Sequence, residues 1–442
     1  MRINKVVGAI LIVICVIVYG TILYIARPHL GNLFVFAIWA VGLGLSVLGM
    51  FNYVFHRKPP GDVRAEGKTM CIIPVYNEDP ALLDGCIQSL LLQTAPIDKI
   101  FVVDDGSKVP VNIDTSSEKI ELVRLEKNRG KHIAQAIVLK AIGPDEYTFL
   151  LTVDSDSILA PTVVDYFLKE MHDPRVKACT ATVFASNYSQ NFLTKVQDFD
   201  YGFSTSIARS AQRALGLLDT TTGACAFYRT AVLNFHLDDY LRHTEKHPYA
   251  DDRRMALYSL MEGIGRYVPE AVVYTEVPEN LKVLWRQRVR WAQSLWSDFP
   301  YYVVNLGFKR SIFLIQSVLI SAVFPIIILM LLYFSMLLDT AFWLYTYIGF
   351  VIVTTYVAAL FYTVSRYEVI SVNDVFGFGP NKKRIRGKRR RSFEHRLVLL
   401  RRLIDWVIIS PFYVIFTHFF LIPVLYVALF KVLRGSKTWG TR

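Results

Sequence analysis

Apolar residues crowd into two regions of the chain, Val6 to Phe55 and Ile312 to Phe430, and thin out between them. Val6 to Ala26 is a continuous apolar run. At about 1.5 Å per residue it can cross a hydrocarbon core of ~30 Å. It is longer than the apolar part of a typical signal peptide and shows no small-x-small cleavage site. A second such run covers Leu33 to Phe55. Arg2, Lys5, Arg57 and Lys58 flank the outer ends of this pair, while the connection holds only Arg27 and His29. The positive-inside bias then puts both outer ends in the cytosol.

After a Pro59-Pro-Gly61 linker the pattern changes to short apolar strands alternating with amphipathic helices. Strands are predicted at Met70–Pro74, Lys99–Val103, Lys119–Leu125 and Tyr147–Val153. Helices are predicted at Pro80–Gln93, from Lys131 to about Ile142, and from Pro161. Alternation of this kind predicts a largely parallel sheet with helices on both faces, and ligands beyond the carboxyl ends of the strands. Three polar clusters follow such ends: Val75-Tyr76-Asn-Glu78, Asp104-Asp105-Gly-Ser107 and Asp154-Ser-Asp156. They are expected to meet on one rim. Asp-x-Asp on its own reads as a turn that closes a strand. In this company it offers two hard oxygen ligands, suited to Mg²⁺ or Mn²⁺ with room left for substrate phosphates.

Past Val176 the pattern loosens. Thr222-Gly-Ala-Cys-Ala-Phe-Tyr-Arg229 reads as a glycine turn entering a strand, and Asp251-Asp252-Arg-Arg254 opens a helix through Gly263. Leu281 to Val304 is a helix rich in Trp and Arg, suited to a membrane surface. A nucleic-acid stacking face is the weaker reading, because apolar spans follow at once. Spans are predicted at 312–336 and 341–364, then a basic cytosolic loop at 366–402 containing Lys382 to Arg391. That loop reads as a topogenic signal or as a site for anionic lipid. The last apolar segment, Leu403 to Phe430, carries Pro411 and Pro423. Basic residues after it argue for a cytosolic end, so it is expected to enter and return as two arms broken at a proline.

Composition agrees with a membrane protein. Of 442 residues 53% are hydrophobic, and the net charge is +12. The five cysteines form no C-x-x-C pair, which suits small buried apolar residues in a reduced compartment. The expected units are an N-terminal transmembrane hairpin (1–58), a cytosolic domain (59–280), an interface helix (281–310) and a C-terminal membrane region (311–442).

The ordered motifs Val75-Tyr-Asn-Glu78, Asp104-Asp-Gly106, Asp154-x-Asp156, Asp251-Asp-Arg253 and Gln287-x-x-Arg290-Trp291, set between membrane spans, resemble the processive family 2 glycosyltransferases: cellulose, chitin and hyaluronan synthases. Lys127-Asn-Arg-Gly-Lys131, Ser410-Pro-Phe-Tyr413 and the final Trp439-Gly-Thr-Arg442 are most similar to single-domain bacterial hyaluronan synthases. Thr222-Gly-Ala-Cys225-Ala is instead closer to chitin-oligosaccharide synthases, and Ala250 stands where Gly is usual. Both departures bear on which sugars are used.

The resemblance implies a membrane α-helical bundle attached to a cytosolic α/β domain of the GT-A type, in a multi-pass protein of the cell membrane. It implies inverting polymerisation of UDP-sugars into a β-linked polysaccharide. Hyaluronan from UDP-GlcNAc and UDP-glucuronate is the first reading, a chitin-type product from UDP-GlcNAc alone the second. A transporter or scaffold with an inactive domain is the reading from another class. In the implied site Asp156 and Asp154 hold Mg²⁺ or Mn²⁺, with Asp154 nearer the ribose. Tyr76, Glu78, Asp104 and Asp105 serve the nucleoside, and Lys131 and Arg290 face the phosphates. Gln287 and Trp291 line the acceptor end, Trp439 and Arg442 return to the nucleotide rim, and Asp252 is the base. Membrane lipid and the growing polymer are the implied partners; nucleic acid is not.

Overall fold

The computed structural model describes residues 5–26, 33–56, 63–142, 146–249, 251–322 and 407–435, with isolated positions between 333 and 405. The second half of the 312–336 span, most of the 341–364 span, the basic loop at 366–402 and the tail with Trp439 and Arg442 lie outside the described residues.

The two N-terminal apolar runs are helices, α1 (Lys5–Ala26) and α2 (Leu33–Phe55). The last turns of α2 are not isolated from the rest of the protein. Met50, Tyr53 and Val54 pack on Ile207, Leu218 and Tyr267. Just beyond the helix, His56 Nε2 stands 3.2 Å from Glu270 Oε1, with both side chains almost fully buried.

The central domain follows in the order β1 (Thr69–Val75), α3 (Pro80–Leu91), β2 (Lys99–Asp104), β3 (Ile120–Arg124), α4 (Lys131–Ile142), β4 (Phe149–Thr152), β5 (Ile158–Leu159) and α5 (Val163–Glu170). Then come β6 (Val176–Ala185), α6 (Phe192–Phe203), a π-helical turn at Ser204–Arg209, α7 (Ser210–Leu215) and β7 (Ala226–Arg229). The domain ends with α8 (Thr230–Phe235), α9 (Leu237–Lys246), α10 (Asp251–Glu262) and β8 (Ile264–Thr275). Local chemistry sets the boundaries. Asp79 caps α3 by accepting the Ala81 amide at 2.8 Å, and Pro80 fills the first helical position, where no amide is needed.

Alternate residues of β1 serve opposite layers. Cys71, Ile73 and Val75 pack against α3 and α5, and Met70 and Ile72 pack against α4 and α10. The sheet thus carries helices on both faces, as its alternation predicts. Its strand order is β3-β2-β1-β4-β7-β6-β8-β5. The parallel expectation holds from β3 to β4 and fails at β7, which runs antiparallel to both β4 and β6. β6 and β8 are parallel to each other and buried along nearly their whole length. A strand covered on both faces has no polar face to alternate with, so no period-2 signal marks it.

Beyond the sheet, α11 (Leu281–Arg310) begins at an Asn280 cap and is kinked at Gly307. It is followed by α12 (Ile312–Ala322). The last apolar segment corrects one expectation. It is a single helix, α13 (Val407–Leu433), and not a two-armed hairpin. A π-helical turn at Thr417–Leu421 widens the ladder just before Pro423, so the ring fits without ending the helix. Its 27 residues reach about 40 Å, and among the described residues it is the helix long and apolar enough to cross a membrane. One face of α13 packs on the domain. Tyr413 and Phe416 meet Phe184 and Phe199, Val424 and Ala428 meet Val289 and Ala292 of α11, and Trp296 Nε1–H donates to the Leu425 carbonyl at 2.9 Å. Phe412, Ile415 and Phe419 on another face are exposed.

Candidate active site

Three strand ends, two helix starts and one glycine turn build the rim. Asp105 accepts the backbone amides of Arg129 and Gly130, each at 2.8 Å. Those bonds hold the turn that enters α4, and with it Lys131. Gly106 has φ +70, and a Cβ there would stand 2.5 Å from the Lys127 carbonyl carbon, so only glycine lets these two turns touch. Asp104 is equally committed. It accepts the Ser107 amide at 2.8 Å and faces Arg124 Nη1 at 2.8 Å. Both carboxylates are almost fully buried, and burial raises that of Asp105 above the usual range, despite its two amide donors. In this conformation they shape the rim.

At the end of β1, Tyr76 is half-buried. Asn77 sits at φ 51 and is stitched to the second rim loop, its amide donating to Ser107 Oγ and its Oδ1 accepting from Lys108. Glu78 Oε2 accepts from Ser155 Oγ at 2.7 Å, which ties this loop to the Asp-x-Asp turn. The three predicted clusters do meet.

Lys131 joins the third of them to the start of α10. Its Nζ lies 2.8 Å from Asp154 Oδ1, 3.6 Å from Asp251 Oδ2 and 3.7 Å from Asp252 Oδ1. Burial alone would lower the ammonium's pKa, but Asp154, Asp252 and Asp251 outweigh it and raise it well above the usual value. The same crowding acts on Asp252. Burial first, opposed by Lys131 and reinforced by Asp251 and Asp154, pushes its carboxyl up to about 7. Asp251 Oδ2 is buried and has no hydrogen-bond partner among the described residues.

Gly223, in the turn before β7, stands directly over this cluster. A Cβ there would lie 2.9 Å from Asp154 Oδ2, from Asp252 Oδ2 and from Lys131 Nζ alike. Asp156 is buried, and its Oδ1 accepts from Thr275 Oγ1 at 2.9 Å. No group of three or more His, Cys, Asp or Glu side chains among the described residues forms an all-protein metal cage. Asp154 and Asp156 do fit a hard divalent cation of the kind that takes one or two carboxylates and completes its shell with phosphate oxygens.

Residues 70–236 match the family model "Glycosyl transferase family 2". The chain carries a glycosyltransferase family 2 domain. Its mixed sheet fits the GT-A type. Over 238 residues, 51% of the chain, it is 36% identical to an N-acetylglucosaminyltransferase of Rhizobium meliloti (strain 1021), covering 55% of that protein. An N-acetylglucosaminyltransferase of Rhizobium leguminosarum bv. viciae is 35% identical over 241 residues, 51% of the chain and 55% of the relative. The chain spans about half the length of the curated relatives it matches. Among solved structures, a mannosyltransferase from Pyrobaculum calidifontis in complex with GDP-Man and Mn²⁺ aligns at a TM-score of 0.44 and 17% identity, covering 84% of this chain and 97% of that one.

Tyr201 of α6 feels the charges of Asp156 and Asp154, and α11 packs beside it. Trp291 is 39% exposed, and its ring is inclined by 29° to that of Tyr201, with centroids 6.4 Å apart. Burial pushes the Tyr201 phenol up to about 12, with Arg288 opposing and Asp200, Asp156 and Asp154 adding to the rise. Gln287 Oε1 is buried without a hydrogen-bond partner among the described residues, and Arg290 is half-buried. Trp439 and Arg442 lie outside the described residues. Sequence reasoning missed Tyr201, Arg288 and Thr275. Tyr201 sits where the periodicity loosens, and Thr275 ends a strand that showed no alternation.

Proposed function

We propose that this chain is a membrane-embedded inverting glycosyltransferase that transfers N-acetylglucosamine from UDP-GlcNAc to the growing end of a β-linked polysaccharide. The observation that carries this reading is the convergence of Asp154, Asp251 and Asp252 on Lys131 beneath Gly223, beside the Asp-x-Asp turn. The N-acetylglucosaminyltransferase relatives support the sugar.

In this reading the acceptor hydroxyl oxygen attacks the anomeric carbon and its proton passes to Asp252. The bond from that carbon to the diphosphate oxygen breaks on the opposite face, and UDP leaves. One displacement inverts an α-linked donor to a β-linked product and needs a single base. A carboxyl at about 7 suits that task near neutral pH. Lys131 offsets charge on the leaving diphosphate. Asp105 holds Lys131 in place through the Gly130 turn. Tyr76 and Glu78 flank the nucleoside, and the Tyr201–Trp291 pair offers apolar ring faces to the acceptor sugar. Asp154 and Asp156 would hold Mg²⁺ or Mn²⁺, which supplies charge stabilisation to the diphosphate when bound.

Hyaluronan is the second reading, with UDP-glucuronate as a second donor. Lys127-Asn-Arg-Gly-Lys131 and Trp439-Gly-Thr-Arg442 favour it, whereas Thr222-Gly-Ala-Cys-Ala favours a product of N-acetylglucosamine alone. Membranes from a heterologous host, given radiolabelled UDP-GlcNAc and UDP-glucuronate singly and together, test both. Chitinase-sensitive polymer from UDP-GlcNAc alone supports the first reading, and hyaluronidase-sensitive polymer requiring both donors supports the second. No incorporation with Mg²⁺ or Mn²⁺ present overturns the activity.

A further inference from the structure

We infer that Arg288 is a positioning residue that fastens the acceptor-side ring pair, Tyr201 and Trp291, to the C-terminal helix α13 through Asp200 and Tyr413. The inference rests on the reading that Trp291 faces the acceptor. Arg288 and Trp291 are three residues apart on α11 and so share a face. The Arg288 guanidinium carbon stands 4.7 Å from the Trp291 ring centroid and 5.5 Å from that of Tyr201. Its Nη1 lies 2.8 Å from Asp200 Oδ2. The other oxygen of that carboxylate, Oδ1, accepts from Tyr413 Oη at 3.0 Å. One carboxylate therefore bridges α11 and α13.

The parts are closely packed. Arg288 is 9% exposed, and its Nε and Nη2 have no hydrogen-bond partner among the described residues. The aromatic faces beside the guanidinium give its charge an alternative partner. Tyr413 is held by Phe199, Phe203 and Phe416. A movement of α13 along its axis is thus passed from Tyr413 to Asp200, then to Arg288 and the two rings. In a polymerising transferase the acceptor end must be repositioned after each addition. This chain of contacts lets α13 set the platform on which the acceptor rests. A misplaced platform leaves the donor open to attack by water.

Two variants test the link with little change in volume. Tyr413→Phe keeps the ring and removes the hydroxyl. Arg288→Lys keeps the charge but not the flat surface. Lys195→Met is the control. It removes a different ion pair, Lys195 Nζ to Asp405 Oδ1 at 2.8 Å, two residues before α13, and leaves the contacts of the ring pair in place. The first readout is the ¹⁹F resonance of Trp291 in protein labelled with 5-fluorotryptophan, assigned by its loss in Trp291→Phe. It is expected to shift in Tyr413→Phe and Arg288→Lys and to stay in Lys195→Met. The second is UDP released per sugar transferred. Both test variants should raise it at least about threefold, with KM for UDP-GlcNAc within about twofold of the parent. The double variant should add little to either single one, because both act through Asp200. An unmoved Trp291 resonance in Tyr413→Phe overturns the inference, as does a uniform fall in kcat with an unchanged ratio. If the parent protein releases no UDP at all, the proposed activity fails, and the resonance still decides the link.

Discussion

Lys131 Nζ and Asp154 Oδ1 stand 2.8 Å apart at the meeting of a helix start and a strand end. The pair places a cation where a diphosphate would gather charge. Lys131→Met is expected to lower kcat for sugar transfer by ~10²–10³. It also leaves three neighbouring carboxylates without their common cation, so Asp252 should titrate higher still. Steady-state rates with UDP-GlcNAc across pH check both effects. Parent-like turnover in Lys131→Met would remove the lysine from the site.

Asp252, pushed up to about 7 chiefly by burial, can serve as the proposed base only when deprotonated. The expected profile of kcat/KM therefore rises with pH through about 7 and flattens above it. The titration belongs to the whole Lys131 cluster rather than to one carboxyl. Asp252→Asn should abolish this limb and cost ~10²–10⁴ in rate, while UDP binding stays nearly intact. A parent profile that is flat from about pH 5.5 to about pH 8.5 would falsify the base assignment.

Gly223→Ala puts a methyl group 2.9 Å from three charged atoms, all at the ends of flexible side chains. They can move aside, so the fold should survive while the cluster loses its geometry. Displacements of this order cost ~10²-fold in catalysis. Thermal melting in detergent, set beside transfer assays, separates the two. A melting point that falls as steeply as the activity would mean that Gly223 serves the fold instead.

Thr275→Val removes the hydroxyl that orients Asp156 Oδ1. Loss of such an outer partner typically weakens metal affinity ~10–100-fold. The concentration of Mn²⁺ giving half-maximal activity should rise by that factor, and Asp156→Ala should lose metal-dependent UDP binding altogether. Full activity in excess chelator sinks the metal assignment.

Much of the site was legible in the sequence because apolar runs that end in carboxylates report strand ends directly. Asp104, Asp154 and Glu78 could be set on one rim from that alone, and the starts of α3, α4 and α10 were marked by Asp79-Pro80, Gly130-Lys131 and Asp251-Asp252. Those signals are local, set by residues a few positions apart. The rest depended on contacts with no local trace. β6 and β8 are covered on both faces, so nothing in their pattern alternates. β7 enters between β4 and β6 in the opposite direction, which no spacing along the chain announces. Pro411 and Pro423 suggested a broken segment, yet a widened turn absorbs the second proline and α13 runs through. Asp200 and Tyr413 are 213 positions apart and meet only because α6 and α13 pack side by side. Sequence determined which residues sit at strand and helix ends, through periodicity and capping. Only tertiary packing decided which side chains share a carboxylate, because it closes separations that no local pattern encodes.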